Sequence, residues 1–136
     1  MNAIVPAQAT GSNALVPQTM QDAFRLADMM ASQKLVPKHL QGSPGDCLMV
    51  IEQAMRWNMS PFAVAQATSV VNGKIMFEGK LVAAAVETMR AITGWMDYEF
   101  TGEGAGRAVI VTATRRGETS PRAVTVTLAE AKTTNQ

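Results

Sequence analysis

TSVVNGKIMFEGK, residues Thr68–Lys80, is the stretch that decides the fold of this chain. Asn72-Gly73 supplies two residues that tolerate positive φ angles, and a short apolar run lies on each side. This pattern predicts a β-hairpin closed by a type I′ turn. Lys74 follows the turn and Lys80 follows the hairpin, so two positive charges flank a small structural unit.

Three helices are predicted before the hairpin. Thr19 is the N-cap of the first, with Asp22 in place of the usual Glu of a capping box. Ser43 followed by Pro44 begins the second helix, Asn58 ends it, and Ser60-Pro61 begins a short third helix. The expected apolar positions are Met20, Phe24, Ala27, Met30 and Ala31 in the first helix, and Leu48, Ile51, Ala54 and Met55 in the second.

A fourth helix is predicted to begin near Gly79, to run through Ile92 and to end at Gly94. After it the apolar period changes to two, which predicts a three-stranded meander over Trp95–Thr101, Arg107–Arg115 and Arg122–Leu128. The order indicates an α+β fold, with helices packed on an antiparallel sheet and a β-hairpin, a helix and the meander in succession. We expect a disordered N-terminal arm at 1–18, one core domain at 19–128, and the start of a truncated C-terminal helix at 129–136.

Composition argues against several kinds of site. The 136 residues carry a formal net charge of +1, one histidine and one cysteine. His39 is expected at the surface and Cys47 in a buried helix face, so no metal, cofactor or nucleophilic site is expected. No apolar run approaches the roughly 18 residues of a membrane span, and we expect a cytoplasmic protein.

The glycine-rich and acidic segments point to no catalytic chemistry either. Gly102–Gly106 lies between two strands and lacks the lysine of a phosphate loop, so a flexible hairpin loop is expected. Asp97 and Glu99 are expected on a solvated strand face, with Met96, Tyr98 and Phe100 turned to the core. An enzyme is therefore not favoured.

Positive charge is concentrated late in the chain. Residues 94–106 hold three acids and no base, whereas 107–122 hold Arg107, Arg115, Arg116 and Arg122 against Glu118 alone. Any bound nucleic acid is expected along an edge or groove where the hairpin lysines and these arginines meet. From the pattern alone, Arg115-Arg116 is more typical of a solvated turn.

A family resemblance adds to this interpretation. The run GDCLMVIEQAMRWNMSPFAVAQATSVVNGKIMFEGKLVAAAVE, followed by WMDYEF, RAVIVTATRRG and PRAVTVTLAEAK, resembles the RecT and Red-beta superfamily of phage single-strand annealing proteins. Pro61-Phe62 between a helix and a hairpin, followed by Glu78-Gly79-Lys80, carries most of the likeness. The likeness covers about residues 20–132.

The resemblance implies a β-β-α-β-β-β core that binds single-stranded DNA and anneals it to its complement without ATP. It implies a ring or helical filament of identical subunits, with a DNA groove between the hairpin and the next helix. Lys74 and Lys80 would flank the DNA backbone. Arg107, Arg115, Arg116 and Arg122 are candidates for the same groove, and Phe77 and Tyr98 are candidates for base stacking, although their apolar-face positions favour the core.

The same resemblance implies partners beyond the annealed duplex, namely a phage exonuclease and a host single-strand-binding protein in the bacterial cytoplasm. A second hypothesis keeps the core but not the DNA. The balanced charge and the ten methionines also fit an oligomeric protein scaffold or regulator that does not anneal DNA.

Overall fold

The computed structural model describes residues 16–133 and confirms a mixed α+β fold with two antiparallel sheets. Residues 1–15 of the predicted arm at 1–18 lie outside the described residues, and so do residues 134–136. The elements are α1 Met20–Ala31, α2 Pro44–Arg56, α3 Pro61–Gln66, β1 Thr68–Val71, β2 Lys74–Phe77, α4 Gly79–Thr88, β3 Ile92–Thr101, a 3₁₀ turn Gly104–Gly106, β4 Ala108–Arg115, β5 Arg122–Thr127 and α5 Leu128–Thr133.

The described residues fall into two compact units that meet between Leu81 and Val82. The first holds α1, α2, α3 and the hairpin of β1 and β2. The second holds the meander, in which β4 lies between β3 and β5. The boundary between the units falls inside α4.

The predicted starts of α1 and α2 and the predicted end of α2 are confirmed. The hydroxyl of Thr19 accepts the backbone N–H of Asp22 at 3.0 Å, and the Asp22 carboxylate accepts the Thr19 N–H at 3.2 Å, completing the capping box. Ser43 is the N-cap of α2, although its hydroxyl donates to Asp46 Oδ2 instead of capping a backbone group. Asn58 follows the end of α2 with a φ of 52°.

The hairpin has the predicted turn. Asn72 and Gly73 have φ angles of 51° and 74°, the left-handed pair that a type I′ turn requires. Val71 pairs with Lys74 across it, and the register continues to Thr68 opposite Phe77. The turn therefore places Lys74 at the tip of the hairpin.

The core of the first unit forms between α1, α2 and α3, but its faces differ from prediction. Met20, Phe24 and Met55 were expected inside and are exposed instead. The buried stripe of α1 has helical i, i+3, i+4 spacing that begins at Ala23, and Phe24 lies one residue, or about 100°, away from it. The buried residues are Ala23, Leu26, Ala27, Met30 and Ala31 in α1, and Cys47, Val50, Ile51 and Ala54 in α2.

Cys47 is fully buried, as predicted, and donates its thiol to the Leu40 carbonyl at 3.4 Å. Burial, reinforced by the charge of Asp46, raises the pKa of this thiol.

His39 was expected at the surface and is only partly exposed. The ring is half-buried, and Nε2 lies 2.9 Å from Thr68 Oγ1 at the start of the hairpin. The Thr68 hydroxyl donates its one proton to the Ala65 carbonyl, so Nε2 must be the donor to Thr68. His39 thereby ties the α1–α2 loop to β1.

The end of α4 is the largest error in the sequence prediction. The helix stops at Thr88, Arg90 adopts a φ of 52°, and Ile92 already pairs with Arg115 as the first residue of β3. Gly94, expected to end the helix, has a φ of 77° inside β3 instead. It lies where the β3–β4 register shifts between Thr93 and Asp97, the place of a β-bulge.

The two faces of the meander follow from its register. Glu99, Ile110 and Thr125 are paired in one row, and Tyr98, Val111 and Val124 are paired in the next. Because neighbouring rows point to opposite faces, one face is rich in acids and threonines and the other is apolar. The prediction that Tyr98 and Phe100 lie in the core is wrong, since their side chains are 52% and 80% exposed.

Individual residues specify two features at the end of the meander next to α5, the β3–β4 connection and the start of α5. Gly102 has a φ of 73°, and a Cβ there would collide with the Gly106 carbonyl, so the β3–β4 connection requires glycine. Thr127 and Glu130 form a second capping box, which begins α5. The hydrogen bonds from the Thr127 N–H and hydroxyl lower the pKa of Glu130.

Candidate nucleic-acid interface

Lys74 is exposed at the tip of the hairpin, where the type I′ turn delivers it. It forms no ion pair with any residue in the 16–133 range. A lysine held on a short, hydrogen-bonded turn offers a compact charge at a defined position, which suits contact with a phosphate.

Lys80 lies in the first turn of α4 and is already paired. Its Nζ lies 2.8 Å from Glu78 Oε2. The hydrogen bond that Lys80 donates to Glu78, and then the charge of Glu78, raise the pKa of Lys80. Both side chains are exposed, so this ion pair is weak and readily exchanged for another anion.

A second group of cations, the arginine cluster, comprises Arg90, Arg115, Arg116 and Arg122. The backbone N–H of Arg116 donates to the Ala91 carbonyl at 2.9 Å, and Arg115 pairs with Ile92. These contacts bring the start of β3 against the β4–β5 turn, so Arg90 joins the three arginines at one end of the meander. All four side chains are exposed.

Arg90 is the candidate residue that the sequence analysis missed. The apolar pattern of α4 continued past it to Ile92, which placed Arg90 inside a helix and away from the other arginines. The available signal was the β-branched pair Ile92-Thr93, which favours a strand.

Glu118 neutralises part of the arginine cluster. Its two oxygens accept Nε and Nη2 of Arg122, both at 2.8 Å, and Oε1 lies 3.8 Å from Nη1 of Arg115. Arg90 and Arg116 have no acidic partner among the residues described. The cluster thus keeps a net positive charge, carried mainly by these two side chains.

Arg107 does not belong to the arginine cluster. It precedes β4, whereas Arg115 ends that strand, so the length of β4 separates them by about 25 Å. At the opposite end of the meander the Arg107 carbonyl accepts the N–H of Leu128 at 2.8 Å. The structure therefore divides the arginines that the sequence grouped together.

The two stacking candidates differ in their surroundings. Phe77 packs edge to face against Trp57, with ring centroids 5.1 Å apart, and lies against the buried core. Phe77 is partly buried, so the prediction of a core position holds in part. Tyr98 is half exposed, and its hydroxyl lies 3.5 Å from the sulfur of Met96.

Neither a cluster of metal-binding side chains nor a helix able to cross a membrane occurs within residues 16–133.

Comparison with known proteins identifies no relative of this chain. No family model, curated protein or solved structure matches the chain. The resemblance to RecT and Red-beta stays a prediction that rests on the order of the motifs.

Proposed function

We propose that this chain is a RecT-like protein that binds single-stranded DNA and anneals complementary strands as an oligomer, without ATP, in phage-type recombination. The observation that carries the proposal is the arginine cluster, in which Arg90 and Arg116 stand exposed and without acidic partners among the described residues. Lys74 at the hairpin tip is a third exposed cation that forms no ion pair with the described residues.

The distribution of charge favours the phosphate backbone as the ligand. Cations that neutralise phosphates give affinity independent of sequence and leave base edges free to find their complement. Guanidinium groups suit this task because they bind phosphate through two parallel hydrogen bonds. Asp97 and Glu99 on the acidic face of the meander would repel the strand from that surface.

The decisive experiment is an annealing assay. A labelled oligonucleotide is mixed with the protein, its complement is added without ATP, and duplex formation is followed by energy transfer at about 0.05 and 0.2 M salt. Pairing faster than the protein-free control, with the advantage fading at high salt, would support the proposal. Binding without acceleration would reduce it to DNA binding, and the absence of binding at both salt concentrations would contradict it.

The hairpin lysines give a graded prediction. Lys74→Glu is expected to weaken single-stranded DNA binding by on the order of tenfold and to lower the salt slope by about one, and Lys80→Glu is expected to have a smaller effect because Glu78 already occupies it. Fluorescence anisotropy over a salt series measures both. Lys34→Glu, an equal charge change in the α1–α2 loop, is the control. Unchanged affinity in both hairpin variants would remove these lysines from the interface.

Glu118 should act as a competitor of DNA. Glu118→Gln removes the negative charge next to Arg115 and Arg122, so we expect affinity for single-stranded DNA to rise several-fold and the salt slope to steepen by up to about two. Glu52→Gln, which frees Arg56 from the exposed 2.8 Å ion pair on α2, is the matched control and should leave binding unchanged. A loss of affinity in Glu118→Gln at unchanged thermal stability would contradict a phosphate-binding role for this cluster.

A protein scaffold or regulator on the same core remains the second candidate. The exposed side chains of Phe100 and Val124 on the apolar face of the meander favour it, since large exposed apolar surfaces mark protein contacts. An oligomer that ignores DNA and does not change with salt would support this candidate. The phage exonuclease, the host single-strand-binding protein and the bacterial cytoplasm belong to the first proposal and follow from the resemblance alone.

A further inference from the structure

The meander has two edge strands, β3 and β5, and no described strand pairs with the outer side of either. An unpaired edge presents a row of N–H and C=O groups to any other strand, and proteins normally protect such edges. The two edges differ sharply in this protection.

The β3 edge is protected. Its register shifts between Thr93 and Asp97, and a bulge at an edge hinders the approach of another strand. Asp97 and Glu99 also lie in the part of β3 that follows the register shift and pairs regularly with β4. If β3 met a second β3 in antiparallel register, these carboxylates would lie close to their equivalents, which is unfavourable.

The β5 edge lacks such protection. Arg122–Thr127 contains no lysine, proline, acid or bulge, and it pairs with β4 without a register shift. Its one charge, Arg122, lies at the end and is held by Glu118 of the same chain. After β5 the chain turns into α5, which contacts the 3₁₀ turn between β3 and β4.

The apolar face next to this edge is largely exposed among the described residues of the second unit. Of residues 82–132, Ala85 alone is buried, while the side chain of Val124 is 62% exposed beside Val126, Tyr98 and Phe100. A sheet of three strands gains little stability unless one of its faces is buried against something else.

We propose that β5 pairs antiparallel with β5 of a second copy of this chain, which joins two meanders into one six-stranded sheet. The two copies are related by a two-fold axis normal to the sheet. Their apolar faces lie on the same side of the joined sheet only if each even-numbered residue pairs with an even-numbered residue, and each odd-numbered residue with an odd-numbered one. Centring the axis on Thr125 pairs Val124 with Val126 of the second copy, a favourable β-branched pair. Centring it on Val124 would instead place Arg122 against Val126.

A two-fold contact joins only two copies, so in a ring or filament it would be one subunit interface beside another that repeats. The inference rests on the proposed function to that extent. It requires no DNA, so its tests are performed without DNA. If the protein forms the β5 contact but does not anneal DNA, this inference stands and the proposed function fails. If the protein anneals DNA but does not form the β5 contact, the proposed function stands and this inference fails.

Disulfide trapping tests the register. Cysteine is placed singly at Thr125, Ala123 or Thr127, and the buried Cys47 is left in place. We expect Thr125→Cys to form covalent dimers under mild oxidation, since a disulfide needs Cα atoms about 4.4–6.8 Å apart. Ala123→Cys and Thr127→Cys should not form them alone but should do so when mixed. Equal trapping of all three variants, or of none, would overturn the proposed register.

Sedimentation of the intact chain tests the contact itself. Val124→Lys places a charge at the centre of the edge, and we expect the mass of the main species to fall at least twofold at a concentration where the unmodified protein associates. Val70→Lys, a similarly exposed valine in the hairpin, is the control and should sediment like the unmodified protein. A Val124→Lys variant with unchanged mass would overturn the proposal.

Discussion

Reversing two arginines, with the double variant Arg90→Glu, Arg116→Glu, is expected to lower the affinity for single-stranded DNA by about 100-fold near 0.1 M salt. Each side chain is exposed and has no acidic partner among the described residues, so each can release one counterion on meeting a phosphate. The slope of log affinity against log salt should fall by about two. Anisotropy of a labelled oligonucleotide over a salt series measures both quantities.

The control for this variant is Lys34→Glu, Lys38→Glu, which makes the same change in net charge on exposed residues of the α1–α2 loop. We expect less than a threefold loss there, because these lysines are outside the arginine cluster and a charge that contacts no phosphate releases no counterion. Equal losses in the two double variants would mean that net charge, and not the arginine cluster, governs binding.

Local chemistry made much of the first unit predictable. Asn72-Gly73 specifies its turn through two positive φ angles, and Thr19 with Asp22 specifies a helix start through two hydrogen bonds three residues apart. Such signals depend on neighbours in the sequence, so they survive whatever the rest of the chain does.

The end of α4 could not be predicted in the same way. The apolar period continues through Ile92, and no glycine or proline interrupts it before Gly94. The chain leaves the helix through Arg90, at a φ of 52°, and Ile92 then pairs with Arg115, a contact between distant segments. The position of Arg90 in the candidate site depends on that contact, so the site was harder to predict than the fold.

Burial on the meander was mispredicted for a related reason. Alternation correctly separates the row of Tyr98 from the row of Glu99, but period alone does not say whether either face is covered. Tyr98 and Phe100 have the pattern of core residues and the exposure of surface residues. Such a mismatch between pattern and exposure marks a surface available for a contact.

The second large effect concerns stability. Ile51→Ala is expected to lower the free energy of unfolding by about 2–5 kcal/mol, because it leaves a cavity where a fully buried side chain contacts the α1–α2 core. For a unit of this size the loss corresponds to a fall in Tm of roughly 10–25 °C. Thermal unfolding followed by circular dichroism, with a denaturant titration to confirm the free energy, measures it.

Met55→Ala on the same helix is the matched control, since sequence pattern put both residues in the core and the structure separates them. The Met55 side chain is 45% exposed, so its truncation removes little buried surface and should cost less than about 1 kcal/mol. If Met55→Ala destabilised the protein as much as Ile51→Ala, the face of α2 predicted from sequence would be right. A large difference in the expected direction would establish that α2 packs through Ile51 and its helical neighbours Cys47 and Ala54.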